Sequence, residues 1–118
     1  MSFDPAAALA RYHAVLDRRD LAGVAGMLAQ DARYVSVGLG DVSGRDAIMA
    51  ALEQYFATSP DHQAFDDEIR TLGPRMAQSL WRLTATNRQT GTVVERRGRE
   101  VVTFDDDGLI TVIAVEDA

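Results

Sequence analysis

Apolar positions recur at helical spacing through the first part of the chain and at strand spacing through the rest. In "DPAAALARYHAVLDRR", Leu9, Tyr12 and Leu16, with Ala8 and Val15 beside them, fall on one stripe. Asp4 is a natural N-cap there. Pro5 stands at the first helical position, where a missing N–H costs nothing. Asp20 caps a shorter second helix expected to run from Leu21 to about Leu28, with Gly23 and Gly26 allowing close packing. "ARYVSV" then reads as a strand, and "GLGDVSG" as a loop. "RDAIMAALEQYFATS" restores the helical period through Ile48, Leu52, Tyr55 and Phe56 until Pro60 stops it.

Beyond Pro60 the pattern is β. Strands are expected in "QAFDDEIRTL", "MAQSLWRLTATNRQ", "TVVERRGREVVTF" and "LITVIAVE", with turns at Thr90-Gly91 and at "DDDG". Three helices followed by an antiparallel meander imply an α+β fold, with the helices on one face of a bent sheet. The mid-strand Gly98 marks a place where such a strand bends. A bent sheet wrapped around helices leaves a conical hollow. No repeat, linker or low-complexity tract interrupts the 118 residues, so one domain spanning 1–118 is expected.

Composition narrows the function classes. The chain is 47% hydrophobic and 25% charged, which is globular. It has no cysteine, so disulfides and thiolate chemistry are excluded. Its net charge of −6, with all basic residues Arg and the densest run "ERRGRE" interleaved with acids, argues against a nucleic-acid partner. No apolar run approaches the roughly 18–20 residues of a membrane span, and "MSFDPAAALARYH" lacks a signal pattern; a cytoplasmic protein without a membrane partner is expected. No Gly-rich phosphate loop, GxGxxG, GxSxG or HExxH pattern occurs, so no cofactor is expected. The two histidines, His13 and His62, lie far apart in the chain, and no metal site is expected. His13, about 100° round the helix from Tyr12, is expected to face the sheet edge or solvent.

The stretches "RYHAVLDRRDLAGVAGMLAQDARYVSVG", "SGRDAI" and "GREVVTFDDDGLITVIAV" are together similar to the nuclear transport factor 2-like superfamily. That cone-shaped α+β fold is shared by ketosteroid isomerases and SnoaL-like polyketide cyclases, and the resemblance covers nearly the whole chain. It implies roles for particular residues. Tyr12 stands where the isomerases carry an oxyanion donor, and Glu100 where they carry a protonated carboxylic acid as second donor. Their general base, an aspartate on the first strand, is here Ser36. A serine hydroxyl without an adjacent base does not abstract a carbon-bound proton near neutral pH.

Each candidate has a plainer alternative. Tyr12 on its apolar stripe can be core. Glu100 shares a strand face with Val94, Arg96, Gly98, Val102 and Phe104, and can instead pair with Arg96 or Arg82. Asp41 is the nearest carboxylate able to replace the missing base, though loop acids are usually solvated. Asp67, on the face of Phe65 and Ile69 by simple alternation, belongs to an acidic run that reads as an exposed edge. Glu116 and Asp117 sit where the cyclases place a catalytic acid. Tyr34, Ser36, Tyr55, Trp81 and Phe104 are the expected ligand-binding side chains. The implied partner is a small apolar or aromatic ligand with one polar end, handled through an enol or enolate or simply bound. The alternative is a non-catalytic module with a filled hollow. A homodimer is expected through the outer sheet face, around Leu80, Arg82, Thr84, Thr86, Val93 and Val101.

Overall fold

The computed structural model describes residues 3–118. Helix α1 spans Pro5–Asp17, and Asp4 caps it by accepting the Ala7 N–H at 3.1 Å. Helix α2 is shorter than expected, Leu21–Ala25. Asp20 caps it from the Gly23 N–H at 2.9 Å. Gly26 closes it within about a turn, so Leu28 opens strand β1, Leu28–Ser36, instead of ending a helix. The "GLGDVSG" loop contains a strand, β2 (Gly40–Ser43), which turns back antiparallel onto β1. Four residues with glycine at one end carry too little alternation to announce a strand. Helix α3 is Arg45–Thr58.

Strands β3 (Gln63–Gly73), β4 (Met76–Thr86), β5 (Val93–Phe104) and β6 (Ile110–Asp117) form the expected antiparallel meander. β4 ends at Thr86, because Asn87 turns the chain by accepting the Gln89 N–H on its side chain. The sheet order is β2-β1-β6-β5-β4-β3, with β1 parallel to β6. The architecture is thus α+β, three helices on a six-stranded mixed, mostly antiparallel sheet. No described helix is long and apolar enough to cross a membrane.

The core joins helix stripe to sheet. Leu9 and Tyr12 of α1, Ile48 of α3, and Val102, Ile110 and Ile113 of the sheet are all essentially sealed from water. Each large apolar side chain buried there contributes roughly 1.5–3 kcal/mol. α1 lies over β3 and β4, and α3 over β1 and β2, which leaves the middle of the inner sheet face between them less covered.

Two local features shape that face. The first is a β-bulge in β3: Asp66 pairs with Trp81, but Glu68 pairs with Leu80. Asp67 is the extra residue, so strict alternation fails across it. Phe65 is consequently exposed while Ile69 packs on the core, and the two do not share a face as simple alternation predicts. The second feature is Gly98. A Cβ there would sit 1.9 Å from the Glu116 carbonyl oxygen and 2.8 Å from the Trp81 ring. Only glycine admits β6 and the indole this close.

Candidate functional site

Between α1, α3 and the inner sheet face lies a cavity of about 110 Å³, walled largely by Leu16, Leu39, Leu52, Leu83, Trp81 and Val115. The hollow is open rather than filled. Its apolar wall is broken by polar groups at two places.

The first is an imidazole held between two carboxylates. His13 projects from α1 beside the core stripe and reaches the sheet. Its Nδ1 lies 2.8 Å from both oxygens of Asp66, and its Nε2 donates to Glu100 Oε1. Asp66 also accepts the hydroxyl of fully buried Ser79 at 2.5 Å. Because each ring nitrogen faces a carboxylate, the ring is held in its doubly protonated form. Burial pushes the His13 pKa down, but Glu100 and Asp66 outweigh it and carry the value up to about 10. Burial likewise pushes the Asp66 carboxyl up, yet the His13 and Ser79 hydrogen bonds hold it below the usual range. Asp17, one turn along α1, is raised by burial in the same corner.

At the second place the groups are neutral or cationic. The Tyr55 hydroxyl and His62 Nδ1 lie 2.6 Å apart. Burial and the nearby guanidinium groups of Arg19 and Arg96 push the His62 pKa down to about 4, leaving it neutral at neutral pH. Arg19 donates to the His62 carbonyl oxygen at 2.5 Å and lies 4.1 Å from the Phe56 ring centre, tying the end of α1 to this corner. Arg96, on the cavity wall, is engaged by both oxygens of Asp117 at 2.7 and 2.6 Å.

The strands set these two corners apart. On β5, Arg96, Gly98 and Glu100 follow one another on the inner face, so the cationic and anionic side chains flank the gap into which Trp81 fits. Just before and within β3, His62 and Asp66 repeat the spacing. Four residues of strand correspond to about 13 Å.

Of the expected site residues, Glu100, Tyr34, Ser36, Tyr55 and Trp81 line the cavity. Tyr12 is fully buried beside it, with a hydroxyl that has no hydrogen-bond partner among the described residues. Burial, together with Tyr34 and Glu100, raises its pKa. Phe104 packs edge-on against Phe3, 5.1 Å between ring centres, in the core away from the cavity. Ser36 accepts the Leu39 N–H at 2.8 Å, which closes the β1–β2 turn. Asp41 lies outside the cavity, half exposed and bound to Arg33 at 2.9 and 2.6 Å. Asp67 binds Arg82 and Glu116 binds Arg99 on the exposed side.

Of the two places expected for His13, it takes the sheet edge, binding Asp66 of edge strand β3, and Glu100 pairs with it and not with Arg96 or Arg82, both of which have their own aspartates. Asp66 and His62 were not among the expected site residues. The signal for His13 was its place at the margin of the apolar stripe, next to Tyr12. For Asp66 simple alternation gave none, because the bulge turns it inward.

No curated protein matches the chain. Among solved structures, RV0760c from Mycobacterium tuberculosis in complex with estradiol-17beta-hemisuccinate is 20% identical, with a TM-score of 0.82 over 96% of this chain and 93% of that one. The Delta 5-3-ketosteroid isomerase from Mycobacterium sp. is 20% identical, TM-score 0.80, covering 95% and 91%. A computationally designed 17-OHP binder is 18% identical, TM-score 0.82, covering 97% and 93%. These likenesses show a shared cone-shaped α+β fold. The family model of the SnoaL-like domain matches residues 9–113, nearly the whole chain, and this protein belongs to that family.

Proposed function

We propose that the protein binds a small, largely apolar molecule in the cone and moves a proton at its polar end through His13, Asp66 and Glu100. The observation that carries this reading is a largely buried imidazolium held between two carboxylates on the wall of an otherwise apolar cavity. Ser36 has no base beside it and is spent on the Leu39 turn. Asp41 is turned away, so the base falls to a carboxylate of the cluster. In an enolisation, Glu100 or Asp66 accepts the carbon-bound proton, and His13, whose two N–H groups are held by those carboxylates, stabilises the enolate through its positive charge. The steroid-binding and isomerase neighbours support a ligand of this polarity and size.

The test uses 2-tetralone, a bicyclic ketone with acidic α-hydrogens, in deuterated buffer. The expected result is α-deuterium incorporation above the buffer rate, lost in Glu100→Gln, together with a raised melting temperature. At 100 times its dissociation constant a ligand adds about 2.7 kcal/mol. A melt shift without enzyme-dependent exchange, for this and other bicyclic and polycyclic ketones, leaves a binding protein and removes the catalytic step.

We further infer a homodimer through the outer sheet face, supported by Phe65, Leu80 and Val93, which are 45%, 37% and 66% exposed there. Sedimentation of the wild type against Leu80→Glu checks it; a wild type that sediments as a monomer at high concentration overturns it.

A further inference from the structure

Resting on the small-molecule reading above, we propose that His62 is a second ligand-binding residue. Its Nε2–H donates to a carbonyl oxygen at the end of the ligand remote from His13. The cavity then takes an elongated apolar molecule carrying a hydrogen-bond donor at one end and an acceptor at the other.

The position of His62 is fixed by its neighbours. Its ring stands edge-on between Tyr55 and Phe56, with centroids 5.2 and 5.6 Å away, and its carbonyl oxygen is fixed by Arg19. Such a ring is positioned rather than free to turn. Its Nδ1 is occupied by the Tyr55 hydroxyl. Burial raises the pKa of that phenol and keeps it protonated. A phenol O–H donating to an imidazole nitrogen is the better-matched arrangement, and in a neutral ring it leaves the proton on Nε2. Nε2 has no hydrogen-bond partner among the described residues, and His62 lines the cavity. A positioned donor without a protein acceptor on a cavity wall invites an acceptor from the ligand.

The opposite corner has the reverse preference. Asp66 and Glu100 carry two negative charges against the one positive charge of His13, with Asp17 nearby. That corner favours a ligand group that yields a hydrogen: a hydroxyl, an amine or the activated C–H of the reaction above. His62, just before β3, and Asp66 within it stand four residues apart, at most about 13 Å of extended backbone, which bounds the length of the molecule.

Three naphthalenes of one shape read the two ends: 6-acetyl-2-naphthol, 2-acetylnaphthalene and 2-naphthol. Dissociation constants are measured by calorimetry for the wild type, His62→Phe and Tyr55→Phe. In the wild type 6-acetyl-2-naphthol binds more tightly than either single-ended compound. His62→Phe keeps the ring and removes the N–H; it weakens both ketones by about three- to ten-fold and leaves 2-naphthol unchanged, which also shows that the variant is folded. Tyr55→Phe frees the tautomer and weakens the ketones less. Imidazole ¹⁵N spectra of the wild type show the proton of His62 on Nε2. Equal weakening of all three compounds by His62→Phe, no weakening of the ketones, or a proton found on Nδ1 overturns the second pole. Binding of the three compounds with such an outcome leaves the small-molecule reading intact. Failure of all three to bind the wild type overturns the two together.

Discussion

His13 and His62 line the same cavity, and their surroundings drive them in opposite directions, to about 10 and about 4. Burial lowers both, so burial does not separate them. The neighbours do: His13 sits between Asp66 and Glu100, whereas His62 is set against Arg19 and Arg96, with the Tyr55 hydroxyl at its Nδ1. In a poorly solvated site the sign of the nearest charges decides the state of an imidazole. The cavity therefore holds a cationic histidine at one end and a neutral one at the other. One offers a charged acid and the other a neutral donor.

The contrast is broken most severely by removing the cation. His13→Leu leaves Asp66 and Glu100 facing each other without it, and is expected to cost about 3–5 kcal/mol in urea denaturation at pH 7. Adding Glu100→Leu to that variant is expected to recover part of the loss, a coupling that a double-mutant cycle measures.

Titration sharpens the same contrast, with effects of opposite sign. The folded pKa of His13 is raised above its unfolded value near 6.5. Its contribution is therefore full below about pH 6.5 and lost as pH rises through about 10. The folded pKa of His62 is depressed, so stability falls as pH drops from about 6.5 toward 4, while the unfolded chain takes up the proton first. Melting temperatures across pH 4–10 are expected to lose their alkaline slope in His13→Leu and part of their acid slope in His62→Phe.

Gly98 tests the ground between the two ends. Gly98→Ala forces β6 or the Trp81 ring to move, and is expected to cost about 1–3 kcal/mol in denaturant melts and to weaken ligand binding. Asp41→Asn, outside the cavity and half exposed, is expected to leave the melting temperature and 2-tetralone exchange nearly unchanged. A clear loss of exchange in that variant would return the base to the β1–β2 hairpin.

Much of the scaffold was legible in the order of residues. Asp4-Pro5 starts α1, the period through Ile48 and Leu52 marks α3, and the alternation of β5 correctly placed Glu100 inside with Val102 and Phe104. These signals are local, and tertiary structure had only to agree with them. The site was less legible because it depends on register. The bulge at Asp67 inverts the faces of β3 along its length, turning Asp66 to the cavity, and no single strand's composition records it. His13 has the wrong polarity for the core stripe, so its burial becomes intelligible only once two carboxylates arrive from β3 and β5. Phe104 had the right face but the wrong row, and packs on Phe3 in the core.

The parallel pairing of β1 with β6 carries a consequence for how the protein folds. Tyr34 of β1 lies opposite Ile113 of β6, so an early stretch of chain must wait for a late one before the sheet is continuous. The loop entropy of that closure is spent before its contacts are gained, which slows the search and places the joining of the two strands late. Half of the cavity, the meander with Trp81, Arg96 and Glu100, can assemble by neighbouring hairpins. The half bearing Tyr34 and Ser36 is added only when this long-range seam zips. A ligand that touches both halves would thus report on completed folding, and would favour the finished sheet over a chain with the seam still open.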